Sequence, residues 1–260
     1  MNLNLSDKIA LVSGSGRGIG KAIAELLIKE GCTLFINDRD ESVLTKALVE
    51  LEEKTLSKNL YKLYADLTVT ENIKAGLKEI YKSTGRNVDI VVANIGLGKS
   101  VSGWDVDDEE WYKMFNINLF GAVRLCRESI RIMKDGGGGS IVCISSIAGV
   151  ESLPAPVQYS AAKASLLSFV KNTANIVAQF GIRINAVSPG NVLFEGGTWD
   201  MKLSENRDNV MDYINTFVPL KDFASPYDIA NMVAFLASDM AKFITGSNFI
   251  VDGGQVRKFI

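Results

Sequence analysis

Seven short runs rich in Val and Ile recur along the chain, and six longer stretches with apolar residues at helical spacing lie between them. The runs are KIALVSG, TLFIND, YKLYAD, DIVVANIG, GSIVCISS, IRINAVSPG and NFIVDGG, each closing on Gly, Asp or Ser. Near-continuous apolar content over so few residues marks strands buried on both faces. The stretches between them are IGKAIAELLIKEG, SVLTKALVELEEK, TENIKAGLKEIYKSTG, EEWYKMFNINLFGAVRLCRESIRIMKDG, the segment after Tyr159, and PYDIANMVAFLASD. Buried strands joined by helical crossovers imply an α/β fold, a Rossmann-type doubly wound parallel sheet of about seven strands.

The 260 residues suit a single domain spanning 1–260, with no internal repeat and no linker. DGGGGS at 135–140 reads as a tight helix-to-strand turn, because strong helix and strand patterns flank it. The one long stretch without a strand signal is 191–223. Inserted after a strand's C-terminal end, it is expected to lie over the ligand crevice as a substrate-covering lobe, partly helical.

Composition removes several function classes. A net charge of -2 leaves no basic field for a phosphate backbone, so no nucleic acid partner is expected. MNLNLSDKIALVSG lacks the basic and long apolar regions of a signal peptide, and no apolar run is long enough to span a membrane. Cys32, Cys126 and Cys143 match no metal spacing and sit in apolar segments, which suits small core residues in a reducing cytoplasm. The chain has no histidine, which excludes Ser-His-Asp and Cys-His mechanisms and any His-ligated metal. Proton chemistry must come from Tyr, Lys, Asp, Glu or water.

The first strand runs into SGSGRGIG at 13–20, where Gly14, Gly18 and Gly20 fit G-x-x-x-G-x-G rather than G-x-G-x-x-G. Missing side chains there let backbone N–H groups and a helix N-terminus approach a pyrophosphate, with Arg17 and Ile19 in the same loop. The second strand ends at Asp38. A carboxylate in that place accepts bonds from ribose hydroxyls and repels a 2′-phosphate, pointing to NAD rather than NADP. Arg17 and Arg39 pull the other way, since either guanidinium can hold a 2′-phosphate or stack on adenine.

Tyr159 and Lys163 in YSAAK stand one helical turn apart. A free tyrosine, with a pKa of about 10, is a poor base at neutral pH, and a nearby ammonium favours its phenolate. On these residues the chain resembles the short-chain dehydrogenase/reductase family over nearly its whole length. The resemblance places the family's Tyr-x-x-x-Lys on Tyr159 and Lys163, and its serine on Ser146, with Ser145 as the adjacent decoy. Its active-site asparagine falls on Asn118, where it would support a water chain from the lysine; Asn116 is the neighbouring candidate. Its glycine loop falls on 13–20 with Ser in place of Thr, and its adenine-side pair on Asp66 and Leu67. N-N-A-G falls on ANIG at 93–96, keeping Asn94; Pro-Gly falls on Pro189 and Gly190. TG at 245–246 and VDGG at 251–254 complete the match.

The implied roles are Tyr159 as general acid or base, Ser146 orienting the substrate oxygen, and Lys163 lowering the Tyr159 pKa and holding ribose. Two departures stand out. Ala93 and Ile95 replace Asn and Ala in N-N-A-G, so that loop must pack differently. Phe194 stands where many members have a Thr that bonds the nicotinamide carboxamide, a role that passes to the backbone of Val192 or to Thr198. Glu195, Trp199 and Asp200 offer a carboxylate and an aromatic wall to a polyhydroxyl or amine-bearing substrate. The implied function is NAD(H)-dependent oxidation or reduction of a secondary alcohol or ketone in a cytoplasmic homotetramer (or homodimer). The alternatives are an NADPH-dependent 3-oxoacyl-(acyl-carrier-protein) reductase and a dinucleotide-binding protein without turnover.

Overall fold

In the computed structural model, which describes residues 3–257, the seven runs form one parallel sheet. The strands are β1 (Ile9–Val12), β2 (Thr33–Asp38), β3 (Leu60–Tyr64), β4 (Ile90–Ala93), β5 (Gly139–Ile144), β6 (Ile182–Pro189) and β7 (Asn248–Val251). Their order is β3-β2-β1-β4-β5-β6-β7. The helices are α1 (Gly18–Lys29), α2 (Glu41–Thr55), α3 (Thr70–Thr84), α4 (Asp108–Phe115), α5 (Gly121–Asp135), α6 (Val157–Val177), α7 (Thr198–Glu205), α8 (Arg207–Phe217) and α9 (Pro226–Ala237). The outermost residues of the expected 1–260 domain, including the last three of the apolar ending, lie outside the described residues.

Alternation along β1 shows why the sheet is covered twice. Ala10 and Val12 join a core with α1, α2 and α9, whereas Ile9 and Leu11 join a second core with α3, α5 and α6. β1 and β4 are buried along their whole length. β3, at the sheet edge, buries only Leu60 and Leu63, which departs from the expectation of strands buried on both faces. An edge strand has a neighbour on one side alone. All three cysteines are buried, with the Cys126 and Cys143 sulfurs 3.6 Å apart between α5 and β5.

DGGGGS is the expected turn between α5 and β5. Gly138 has φ +110°, and a Cβ there would stand 2.4 Å from the Gly181 carbonyl oxygen, so the turn needs glycine.

The fourth helical stretch is not one helix. A π-helical turn, Asn116–Phe120, separates α4 from α5. The extra residue disturbs the i→i−4 ladder, and the Asn118 side chain takes up the Met114 carbonyl at 3.1 Å. The lobe at 191–223 contains two helices, α7 and α8.

Capping differs among the helices. Asp40 caps α2 through the Ser42 and Val43 amides, Asp107 caps α4, and Ser225 and Asp228 form a capping box on α9. The α1 N-terminus has no capping side chain and no acidic residue in its first turn. It lies beside the point where the strand order reverses, between β1 and β4, the usual ligand crevice of such sheets.

Candidate active site

A cleft of about 600 Å³ runs along the C-terminal ends of the strands. It draws Gly14, Arg17, Ile19 and Gly20 from the β1–α1 loop, Asp38 and Arg39 from the end of β2, and Asp66 and Leu67 from beyond β3. Asn94 and Asn118 follow from the β4 side, Ser146 from beyond β5, Tyr159 and Lys163 from α6, and Pro189, Gly190 and Val192 from the end of β6. Gly18, unlike the other predicted cofactor-loop residues, falls in the adjoining recess instead. A Cβ on it would stand 2.6 Å from the Phe194 ring, which lies over the start of α1.

The β1–α1 end of the cleft is built from close backbone approach. Gly14 has φ +60°, and a Cβ on Gly20 would meet the Gly14 carbonyl oxygen at 2.2 Å. Asn94 fastens this turn to β4: its Nδ2 donates to the Gly14 carbonyl at 2.9 Å, and its backbone N–H donates to Ser13 Oγ at 3.0 Å. Ile95, the larger residue of ANIG, packs against Gly14. An uncapped helix start behind glycines is a seat for an anion, so this end fits a dinucleotide pyrophosphate. A Cβ on Gly16 would stand 2.6 Å from Asp38 Oδ2, which puts the carboxylate tight against the loop. Asp66 accepts from the Thr68 amide at 2.9 Å. Arg17 and Arg39 are exposed.

At the other end, Ser146 lies just past β5 with its oxygen accepting the Ala148 N–H at 3.1 Å, which leaves its own proton free to donate. It shares the cleft with the Tyr159 phenol and favours the ionised form of that group. Ser145 is turned elsewhere and donates to the Lys163 carbonyl at 3.1 Å. Lys163 is buried, donates through Nζ to the Ile144 carbonyl at 2.9 Å, and sits 5.9 Å from the Tyr159 ring centre. Burial pushes its ammonium down to about 8, with Cys143 acting the other way.

Burial also pushes the Tyr159 phenol above the ordinary tyrosine range, and the Ser146 hydroxyl acts against it. The expected lowering of the Tyr159 pKa by Lys163 is therefore not the net result in this pocket. Burial raises it, and the same desolvation weakens the lysine's own charge.

Asn118 is fully buried. Its Oδ1 accepts from the Leu97 N–H at 2.9 Å and its Nδ2 donates to the Leu97 carbonyl at 3.1 Å. This two-way clamp holds Gly96 where a Cβ would come within 3.2 Å of Lys163 Nζ. Asn116 instead accepts from Arg124 at 2.7 Å.

The expected carboxylate and aromatic wall is only partly realised. Glu195 lines the neighbouring recess with Lys21 and Glu50, and Asp200 accepts from the Gly196 N–H at 2.9 Å. Trp199 does line the cleft, stacked on Tyr213 with ring centres 5.4 Å apart. Val192 and Thr198 both line it beside Phe194. Gly96, Leu97, Lys99 and Met201 belong to the cleft and were not anticipated. Of these only Gly96 carried a signal, as the last residue of ANIG.

Residues 14–255 match the family model described as Enoyl-(Acyl carrier protein) reductase. The oxidoreductase YvrD of Bacillus subtilis is 31% identical over 266 residues, 99% of this chain and 99% of that protein. The 3-oxoacyl-(acyl-carrier-protein) reductase FabG of Staphylococcus aureus is 32% identical over 248 residues, 95% and 98% of the two chains. Among solved structures, L-sorbose reductase from Gluconobacter frateurii, complexed with NADPH and L-sorbose, superimposes with a TM-score of 0.92 at 32% identity and covers 100% of both chains.

Proposed function

We propose that this chain, which belongs to the short-chain dehydrogenase/reductase family, is an oxidoreductase that interconverts a secondary alcohol and a ketone with NAD(H). The observation that carries this reading is the meeting, in one cleft, of the Ser146–Tyr159–Lys163 group with the uncapped, glycine-lined start of α1. When bound, the nicotinamide supplies or accepts the hydride. Every other part falls to this chain. Tyr159 gives its phenol proton to the developing alkoxide in reduction and takes one from the alcohol in oxidation. Ser146 steadies the substrate oxygen. Lys163 supplies positive charge below the phenol, and Asn118 holds the loop over it, on the side where a water path from the lysine would run.

Gly14, Gly18, Ile19 and Gly20 would hold the pyrophosphate, Asp38 the adenosine ribose, and Asp66 and Leu67 the adenine. Asn94 fixes the loop, Lys163 would reach the nicotinamide ribose, and Pro189, Gly190 and Val192 would line the nicotinamide end. The segment at 191–223 would cover the substrate. Tyr112, Phe120 and Val157 are exposed on α4, the π turn and α6, which supports assembly as a homotetramer (or homodimer) through that face. No helix among the described residues is long and apolar enough to cross a membrane.

A second reading, NADPH-dependent 3-oxoacyl-(acyl-carrier-protein) reduction, draws support from FabG, from the NADPH named for the sorbose reductase, and from exposed Arg17 and Arg39. Two features oppose it. The Asp38 carboxylate at the end of β2 would repel a 2′-phosphate on an adenosine ribose held there. The segment entering α4 carries Asp105, Asp107, Asp108, Glu109 and Glu110, which would repel an acidic carrier.

Parallel titrations with NADH and NADPH at one salt concentration separate the two. We expect NADH to bind more tightly by about tenfold or more, and Asp38→Ala to erase most of that gap. Tighter NADPH binding would put the carrier-protein reading first.

A further inference from the structure

The charges along the cleft are unevenly placed. Among the described residues its carboxylates are Asp38 and Asp66, both at the end read as the adenine side. The catalytic end has no carboxylate and two cations, Lys163 and Lys99. Lys163 is spent on the Ile144 carbonyl and the tyrosine. Lys99 has no ion-pair or hydrogen-bond partner among the described residues.

The backbone that carries Lys99 is held from both sides, although it has no helix or strand of its own. Two residues before it, Leu97 is clamped through both backbone groups by Asn118. Just after it, Ser100 donates to Glu110 at 2.6 Å and accepts from Gln158 Nε2 at 2.6 Å, and Gln158 also donates to the Val101 carbonyl at 2.9 Å. Gln158 is fully buried and precedes Tyr159 on α6. The loop is thus pinned to the neighbour of the catalytic tyrosine after Lys99, and pressed near the catalytic lysine at Gly96. Lys99 is exposed, but the attachment on both sides fixes where its side chain starts along the cleft.

Resting on the oxidoreductase reading above, we infer that Lys99 reads an anionic group on the substrate, and that the substrate is a hydroxy acid or oxo acid whose carboxylate lies a few bonds from the reacting carbon. A single ammonium with no arginine fork beside it suits a singly charged carboxylate better than a phosphate dianion. No carboxylate lines this half of the cleft, so Lys99 is the unpaired charge that a substrate anion meets there.

The test compares oxo acids carrying the carboxylate two to four carbons from the ketone with their neutral methyl esters. Each is titrated into the full chain with the oxidised dinucleotide that binds more tightly. Ketone and oxidised cofactor cannot react, so binding is read without turnover. The acids should bind more tightly than their esters by about tenfold in the parent protein. Lys99→Met should bring that ratio to about one by weakening the acids alone, and Lys99→Arg should restore most of it. The inference is overturned if the parent shows no preference for the acids, or if Lys99→Met weakens acids and esters alike. Failure of both dinucleotides to bind would instead remove the oxidoreductase reading itself, and this inference with it.

Discussion

Tyr159→Phe should lower turnover by about a thousandfold while leaving dinucleotide affinity within about threefold of the parent. Phenylalanine keeps the ring, its packing and its place in the first turn of α6; it removes only the hydroxyl on the Ser146 side of the cleft. If that hydroxyl is the proton donor and acceptor, chemistry fails and cofactor binding survives. The pH dependence carries the same signature. Burial holds the phenol above its ordinary range, so the protonated form needed for ketone reduction persists well into alkaline pH. Alcohol oxidation needs the phenolate, so its rate should climb steadily as pH rises. Steady-state rates in both directions, with dinucleotide titration of the same preparations, check both points. Turnover by Tyr159→Phe within about tenfold of the parent would remove Tyr159 from the chemistry.

The second large effect concerns Lys163, whose burial sets function against stability. Its folded-state pKa is pushed down to about 8 from 10.5. A lysine with a depressed folded pKa binds fewer protons folded than unfolded between those two values. Unfolding therefore becomes less favourable as pH rises through that window, and the full penalty of burying the charge applies below it. Lys163→Met fills the site without a charge and loses only the Ile144 carbonyl bond. The stability of the parent relative to Lys163→Met should therefore improve between pH 8 and pH 10.5 by as much as about 3 kcal/mol. Turnover of the variant should fall by about a hundredfold or more below pH 8, where the parent's lysine is charged, and by less above it, because methionine supplies no charge to the tyrosine. Denaturant unfolding of both proteins across this range reads the effect. A flat or reversed difference would mean that Lys163 is not buried as a charge.

The same residues show what the amino-acid sequence could and could not reveal. Strand runs, glycine loop and the Ser146–Tyr159–Lys163 group depend on local pattern and fixed spacing, and the structure brings them to one edge of one sheet. Asn118 was legible as a candidate and lines the cleft, but its grip on both backbone groups of Leu97 was not legible. That grip needs a π turn, and FNINLF has the same apolar spacing with or without the extra residue. Glu195 and Asp200 looked like substrate ligands because composition places them after β6. A glycine pair at 196 and 197 turns the chain there, sending one carboxylate to the neighbouring recess and the other to a backbone amide. Phe194 stood out as a departure, yet its position over Gly18 follows from tertiary packing alone. Lys99 left no trace in any pattern, since a lysine in a polar loop is ordinary until the loop is seen pinned beside α6.

The most direct test of the account is transfer of deuterium from the reduced dinucleotide, labelled at the nicotinamide C4, to a panel of ketones and oxo acids, read by mass spectrometry of the product alcohols. The account predicts label on the carbinol carbon for at least one member with the parent protein, and none above background with Tyr159→Phe. Tight dinucleotide binding without label in any product would contradict it, and would make the chain a dinucleotide-binding protein that does not turn over.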